Sequence, residues 1–165
     1  MNIQEAFKEQ AKSDFDVYGK LNRMRINECH QIHYLIMACE KLSKSFVSYG
    51  NTHYVMKSFI QNCDNLPDIR SYLGFSKNRE AFLNRKKQLL RVADQFETWI
   101  PKNIKKSEDS KDVMTAKNTE YPFEYPLGSG NYVAPHNQRF DEISATDLKA
   151  MINFIDQMIS YKRAT

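Results

Sequence analysis

The sequence predicts an all-α protein: an antiparallel bundle of four to five helices, with a long aromatic and proline-rich loop before the last one. Three observations carry this. Apolar residues recur at intervals of three and four over most of the chain. Gly and Pro number only five each among 165 residues, too few for an all-β chain with its many tight turns. Three of those prolines and two of those glycines fall together between 119 and 135, which marks one long irregular stretch.

The elements follow in order. Residues 3–22 form a first helix on the stripe Ile3, Phe7, Ala11, Phe15 and Tyr18, with charges on its other face. The polar run 23–27 is a short connection. Residues 28–49 form the second helix. Cys29, Ile32, Ile36 and Cys39 make one stripe, and Leu35, Ala38, Leu42 and Phe46 a neighbouring one. This exceeds what a one-sided surface helix needs, so the helix belongs in the middle of the bundle. Gly50-Asn51 ends it. Thr52 caps a third helix, 53–62, with Tyr54, Val55, Phe59 and Ile60 on its apolar side. A turn at Asn65-Leu66-Pro67 leads to a short helical turn at 68–73. Ser76 or Asn78 caps a fourth helix, 78–99, whose inner side is Phe82, Leu83, Leu89, Leu90, Ala93, Phe96 and Trp99. Pro101 limits it.

Residues 101–145 make up the long loop, read as a charged linker over 101–118 and an aromatic strap over 119–143 with room for one short hairpin. Tyr121, Phe123, Tyr125 and Tyr132 supply area to hold the strap down. The last helix, 146–162, has a face of Leu148, Met151, Ile152, Ile155 and Ile159. Ser144 or Thr146 caps it.

A chain of this length suits one domain, 1–165, which buries roughly 70% of its unfolded surface. Apolar residues make up 41%, enough for a core without staples. The net charge of +4 permits contact with nucleic acid or an acidic partner without requiring it. Cys29 and Cys39 lie on one helix about 15 Å apart and cannot pair; reduced thiols in a cytosolic protein follow. The N-terminus lacks an apolar signal core. The longest apolar run, 34–39, is far short of a membrane span. A soluble, cytoplasmic protein with no membrane contact is expected.

Four groups of residues bear on chemistry. On the second helix, His30, His33, Met37, Glu40, Lys41 and Lys44 form a polar edge beside the apolar stripes, and Glu40 and Lys44 are an i,i+4 pair in the favourable order. This edge reads either as a recognition seam or as an ordinary water boundary. Arg25 and His30, with four residues between them, combine a phosphate holder with a proton shuttle and make a candidate catalytic pair for metal-free RNA cleavage. A loop arginine and an unrelated helix-start histidine fit the same spacing. The fourth helix carries Arg79, Arg85, Lys86, Lys87 and Arg91, which would attract phosphates; three consecutive cations cannot share one helical face, so a solvated surface is the plainer reading. Cys29 and His33 lie one turn apart, but no third or fourth zinc ligand stands at a recognised spacing. No metal and no cofactor are expected. No Gly-rich phosphate loop, nucleophile elbow or paired-carboxylate signature occurs.

The stretch QAKSDFDVYGKL…CHQIHYLIMACEKLSKSF…THYVMKSFI resembles the HEPN superfamily of small helical proteins. The resemblance is carried by Gln10-Ala11 and Ser13-Asp14, by Cys29-His30, His33-Tyr34, Met37-Ala38, Glu40-Lys41-Leu42 and Lys44, and by His53. LGFSKNREAF and NTEYPFEYP…APHNQRF look like a prokaryotic branch of that superfamily. It implies a bundle of four or five helices that forms a homodimer. It also implies a setting in defence, toxin–antitoxin pairs or RNA processing, with RNA or a partner protein (an antitoxin or a defence-complex subunit) as client. Active members resemble metal-independent endoribonucleases, with an arginine and a histidine near the start of the fourth core helix. Here residues 70–100 hold Arg70, Arg79, Arg85 and Arg91 but no histidine. The resemblance therefore implies a non-catalytic binding and assembly module, with the Arg25/His30 endoribonuclease as the alternative. His33, Glu40, Lys41, Lys44, Arg79, Arg85, Lys86 and Arg91 are the expected binding residues.

Overall fold

The computed structural model describes residues 1–46, 55–73, 78–99, 119–120, 122–124 and 129–161. It is an all-α bundle. Its long helices are α1 (Ile3–Arg23), α2 (Glu28–Phe46), α5 (Arg79–Trp99) and α6 (Ala145–Ser160). Two short ones, α3 (Met56–Asn62) and α4 (Pro67–Tyr72), lie between them in sequence.

Local chemistry sets the ends. Asn2 and Glu5 form a capping box at the start of α1: the Glu5 N–H donates to Asn2 Oδ1 at 2.9 Å and the Asn2 N–H to Glu5 Oε2 at 2.8 Å, satisfying two otherwise orphan donors. At its other end the Ile26 N–H reaches the Leu21 carbonyl (3.1 Å) and the Arg25 N–H the Asn22 carbonyl (3.2 Å). This paired closure places Arg25 at φ +53°, in the left-handed conformation usually given to glycine. Asn78 Oδ1 accepts from the Ala81 N–H (3.0 Å) at the start of α5. Ser144 Oγ does the same for Asp147 (3.1 Å) at the start of α6. The α3 terminus has no local side-chain cap; Glu97 of α5 accepts from the Lys57 N–H instead, at 3.0 Å.

Among the described residues the α1–α2 hairpin is the most extensive packing, and α5 lies against both α3 and α6. Helix α2 sits at the centre: Cys29, Ile32, Leu35, Ile36, Ala38, Cys39, Leu42 and Phe46 are all buried, both stripes as expected. Aromatic rings tie the layers together. Phe46 stacks on Phe59 at 5.1 Å, and Trp99 meets Phe140 edge-on at 5.1 Å. Among the described residues, no helix is long and apolar enough to cross a membrane. Cys29, Cys39 and Cys63 are free thiols, all buried. Burial pushes the Cys63 thiol up to about 11 and raises that of Cys39 further, so both stay protonated.

Several expectations need correction. Helix α3 begins at Met56 rather than 53; Thr52 and Tyr54 lie outside the described residues, as do 47–50, Ser76 and the linker 101–118. Leu83 is 38% exposed, not inward, because the buried arc of α5 runs through Phe82, Leu89, Val92, Ala93, Phe96 and Trp99. Ile3 is 69% exposed and lies outside the buried side of α1, which is Ala11, Asp14 and Tyr18. The strap does contain a hairpin, with β1 (Phe123–Glu124) antiparallel to β2 (Tyr132–Val133) and Phe123 opposite Val133. Tyr132 does not hold it down, being 70% exposed. Phe140 does. It is buried against Trp99, and its N–H donates to Glu28 Oε2 at 3.2 Å. Tyr121 and Tyr125 lie outside the described residues.

Candidate functional site

The antiparallel α1–α2 hairpin brings Phe7, Gln10 and Asp14 of α1 alongside Lys44, Lys41 and His33 of α2. His33, Met37, Lys41 and Lys44 follow one another at four, four and three residues, so they share one edge of the helix. Lys44 Nζ donates to Glu40 Oε1 at 2.6 Å, with side-chain exposures of only 12% and 4%. The same ammonium lies 5.8 Å from the centre of the Phe7 ring, within cation–π range. Lys41 Nζ stands 3.4 Å from Asp14 Oδ2. Gln10 Nε2 donates to Asp14 Oδ1 at 2.9 Å, which leaves Oδ2 buried with the Lys41 charge as its compensation and no directed hydrogen bond.

His33 closes the edge. Its Nδ1 lies 3.3 Å from Glu120 Oε1. Burial pushes the imidazole below its usual value of 6.5 and outweighs the upward pull of the Glu120 carboxylate; Lys41 adds to the depression. His33 is therefore mostly neutral at neutral pH, with a carboxylate positioned to fix its tautomer.

No protein-family model, curated protein or solved structure matches the chain.

Glu40 differs from a helix edge at the water boundary: it is buried, and its pair with Lys44 lies inside the hairpin. Removing two charges from water is expensive, and their mutual attraction recovers the cost only with good geometry. Such a pair is weak evidence for stability and better evidence for register and specificity. Sequence spacing pointed to Glu40–Lys44 as a pair. Nothing in it pointed to Glu120 as the partner of His33, eighty-seven residues away in the chain.

The other expected site residues lie elsewhere. Arg25 and His30 are both exposed, one in the α1–α2 connection and one in the first turn of α2. On α5 the basic run divides. Lys86 is consumed internally, donating to Asp64 Oδ1 (2.6 Å) and to the Gln61 carbonyl (2.7 Å), which pins α5 to the end of α3. Arg91 makes a two-pronged contact with Asp147 at the start of α6, both bonds 3.0 Å. Arg79, Arg85 and Lys87 are exposed and have no ion pair among the described residues. Among the described residues, no cluster of three or more His, Cys, Asp or Glu is arranged to hold a metal ion. An open depression of about 420 Å³ lies between α1 and the end of α6, lined by Met1, Glu5, Lys8, Glu9, Lys12 and Ile159. It shares no residue with the polar edge.

Proposed function

We propose that the chain is a non-catalytic, HEPN-like binding and assembly module that works as a homodimer and associates with RNA or a partner protein. The setting is prokaryotic defence, a toxin–antitoxin pair or RNA processing. One observation carries this reading. Six of the positions that carry the HEPN resemblance (Gln10, Asp14, His33, Glu40, Lys41 and Lys44) lie along one polar edge of the α1–α2 hairpin, where Asp14 and Glu40 are buried. A chain needing only a stable bundle gains little from two charge pairs there, because apolar residues of similar volume often serve as well or better.

The RNA clause draws on α5. Its first half offers the exposed cations Arg79, Arg85 and Lys87. Affinity should be salt-sensitive and tolerant of sequence. The test is a titration of labelled single-stranded RNAs of unrelated sequence at several salt concentrations. Affinities that fall together with salt support the clause. No binding at low salt removes it and leaves protein assembly.

A second reading is a metal-independent endoribonuclease using Arg25 to hold the scissile phosphate and His30 as general acid or base. It is favoured by the backbone at Arg25, the single non-glycine residue with positive φ among the described residues, since strained residues cluster at functional sites. Cleavage of RNA in EDTA that disappears in His30→Ala would establish it.

A further inference from the structure

The outward face of α6 differs from those of the other long helices. Two charged side chains stand on it, Lys149 and Asp156, both exposed. Neither makes an ion pair or side-chain hydrogen bond among the described residues. The other charge near its start, Asp147, is bound by Arg91. Beside this pair runs a half-buried apolar edge of Leu148, Ile152 and Ile159, and Ile159 continues it into the depression next to α1. The α1 side of that depression, by contrast, carries Glu5, Lys8, Glu9 and Lys12, with Asp16 exposed further along the helix. That density of charge is unlike the core of an interface.

The placement of Lys149 and Asp156 is self-complementary. Each lies three and a half residues from the point between Ile152 and Asn153. A two-fold axis through that point, with two α6 helices antiparallel, sets Lys149 of each copy opposite Asp156 of the other. The same axis brings Ile152 of one copy beside Asn153 of the second and covers both apolar edges. A two-fold interface requires one patch to complement itself in this way. Sixteen residues give a contact about 24 Å long.

We infer that the α6 face around Ile152 is the docking surface for a second copy of this chain, paired antiparallel through Lys149–Asp156 contacts at both ends. This rests on the dimeric reading above and assigns it a surface. The test compares sedimentation equilibrium of the full chain with Lys149→Glu, Asp156→Lys and the double exchange. Both positions are exposed, so the circular dichroism spectrum of the folded chain should be unchanged. Each single reversal places like charges together at both ends of the seam and should weaken self-association at least about tenfold, the effect of a little over 1 kcal/mol. The double exchange should restore it. Unchanged association in the single variants, or no recovery in the double, overturns this surface and leaves dimerisation standing. A wild-type chain that stays monomeric throughout overturns both.

Discussion

Asp14 of α1 and Lys41 of α2 face each other across the hairpin at 3.4 Å, with side-chain exposures of 10% and 19%. Gln10 holds the other carboxylate oxygen. Removing the lysine strands a buried carboxylate, and breaking such a pair costs about 3–5 kcal/mol. Lys41→Met should therefore destabilise the fold by about 3 kcal/mol, at the lower end because Lys41 keeps some water contact. Asp14→Leu combined with Lys41→Met should recover most of the loss. Urea unfolding of the two single variants and the double gives the coupling directly. A double variant no better than the worse single one would mean that the pair is not the unit of stabilisation.

How far this arrangement could be read from the chain differs by element. The centre of α2 was legible because its two apolar stripes leave only one narrow polar edge, and a helix of that pattern has nowhere to lie except inside. Capping was legible to within two candidates at each of two helix starts, Ser76 or Asn78 and Ser144 or Thr146, and Asn78 and Ser144 are the residues that cap. Leu83 was misread because it lies about 100° round the helix from Phe82, off the buried arc, and helical periodicity does not say how wide that arc is. Glu97 as the cap of α3 and Glu120 as the partner of His33 had no local signal; both are contacts between distant segments. The division of the basic run was half legible, since consecutive cations at 85–87 must point in different directions. That Lys86 is the one turned inward depends on Asp64 in another element.

His33 gives stability a pH dependence with a defined sign. Burial holds its folded-state value below the unfolded 6.5. Between those two values the unfolded chain binds the proton more readily, so stability rises with pH across that interval. The contribution is complete above about pH 6.5 and is lost as pH falls through the depressed value. Replacing His33 with Gln should flatten this part of the profile. Glu120→Gln removes the strongest upward pull on the imidazole and should shift its NMR titration to lower pH. A shift in the opposite direction would show that the carboxylate does not act on His33.

Arg25 occupies a conformation that costs a side-chain-bearing residue roughly 1–2 kcal/mol. Glycine adopts it freely, though it loses more entropy on folding. Arg25→Gly should consequently stabilise the chain by about 1 kcal/mol in thermal or urea unfolding. The same variant separates the two functional readings. A binding module keeps its assembly and gains stability. An endoribonuclease loses its phosphate holder and its cleavage along with it. Stabilisation with cleavage intact would remove Arg25 from any catalytic role.

The cations of α5 should divide by experiment as they do in space. Arg85 is exposed without an ion pair, so Arg85→Ala should leave stability within about 0.5 kcal/mol, as for ordinary surface changes. If α5 contacts RNA, the same change should reduce the slope of log affinity against log salt by roughly 0.7, the value for one single-strand phosphate contact. Lys86 carries a structural tie instead, to Asp64 and the Gln61 carbonyl. Hydrogen bonds to charged groups contribute about 1.5–3 kcal/mol. The side chain is only partly shielded, so Lys86→Ala should cost about 1–2 kcal/mol with little change in the salt slope. Reversal of the pattern, with Lys86 governing salt dependence and Arg85 governing stability, would show that the tie to Asp64 yields to RNA.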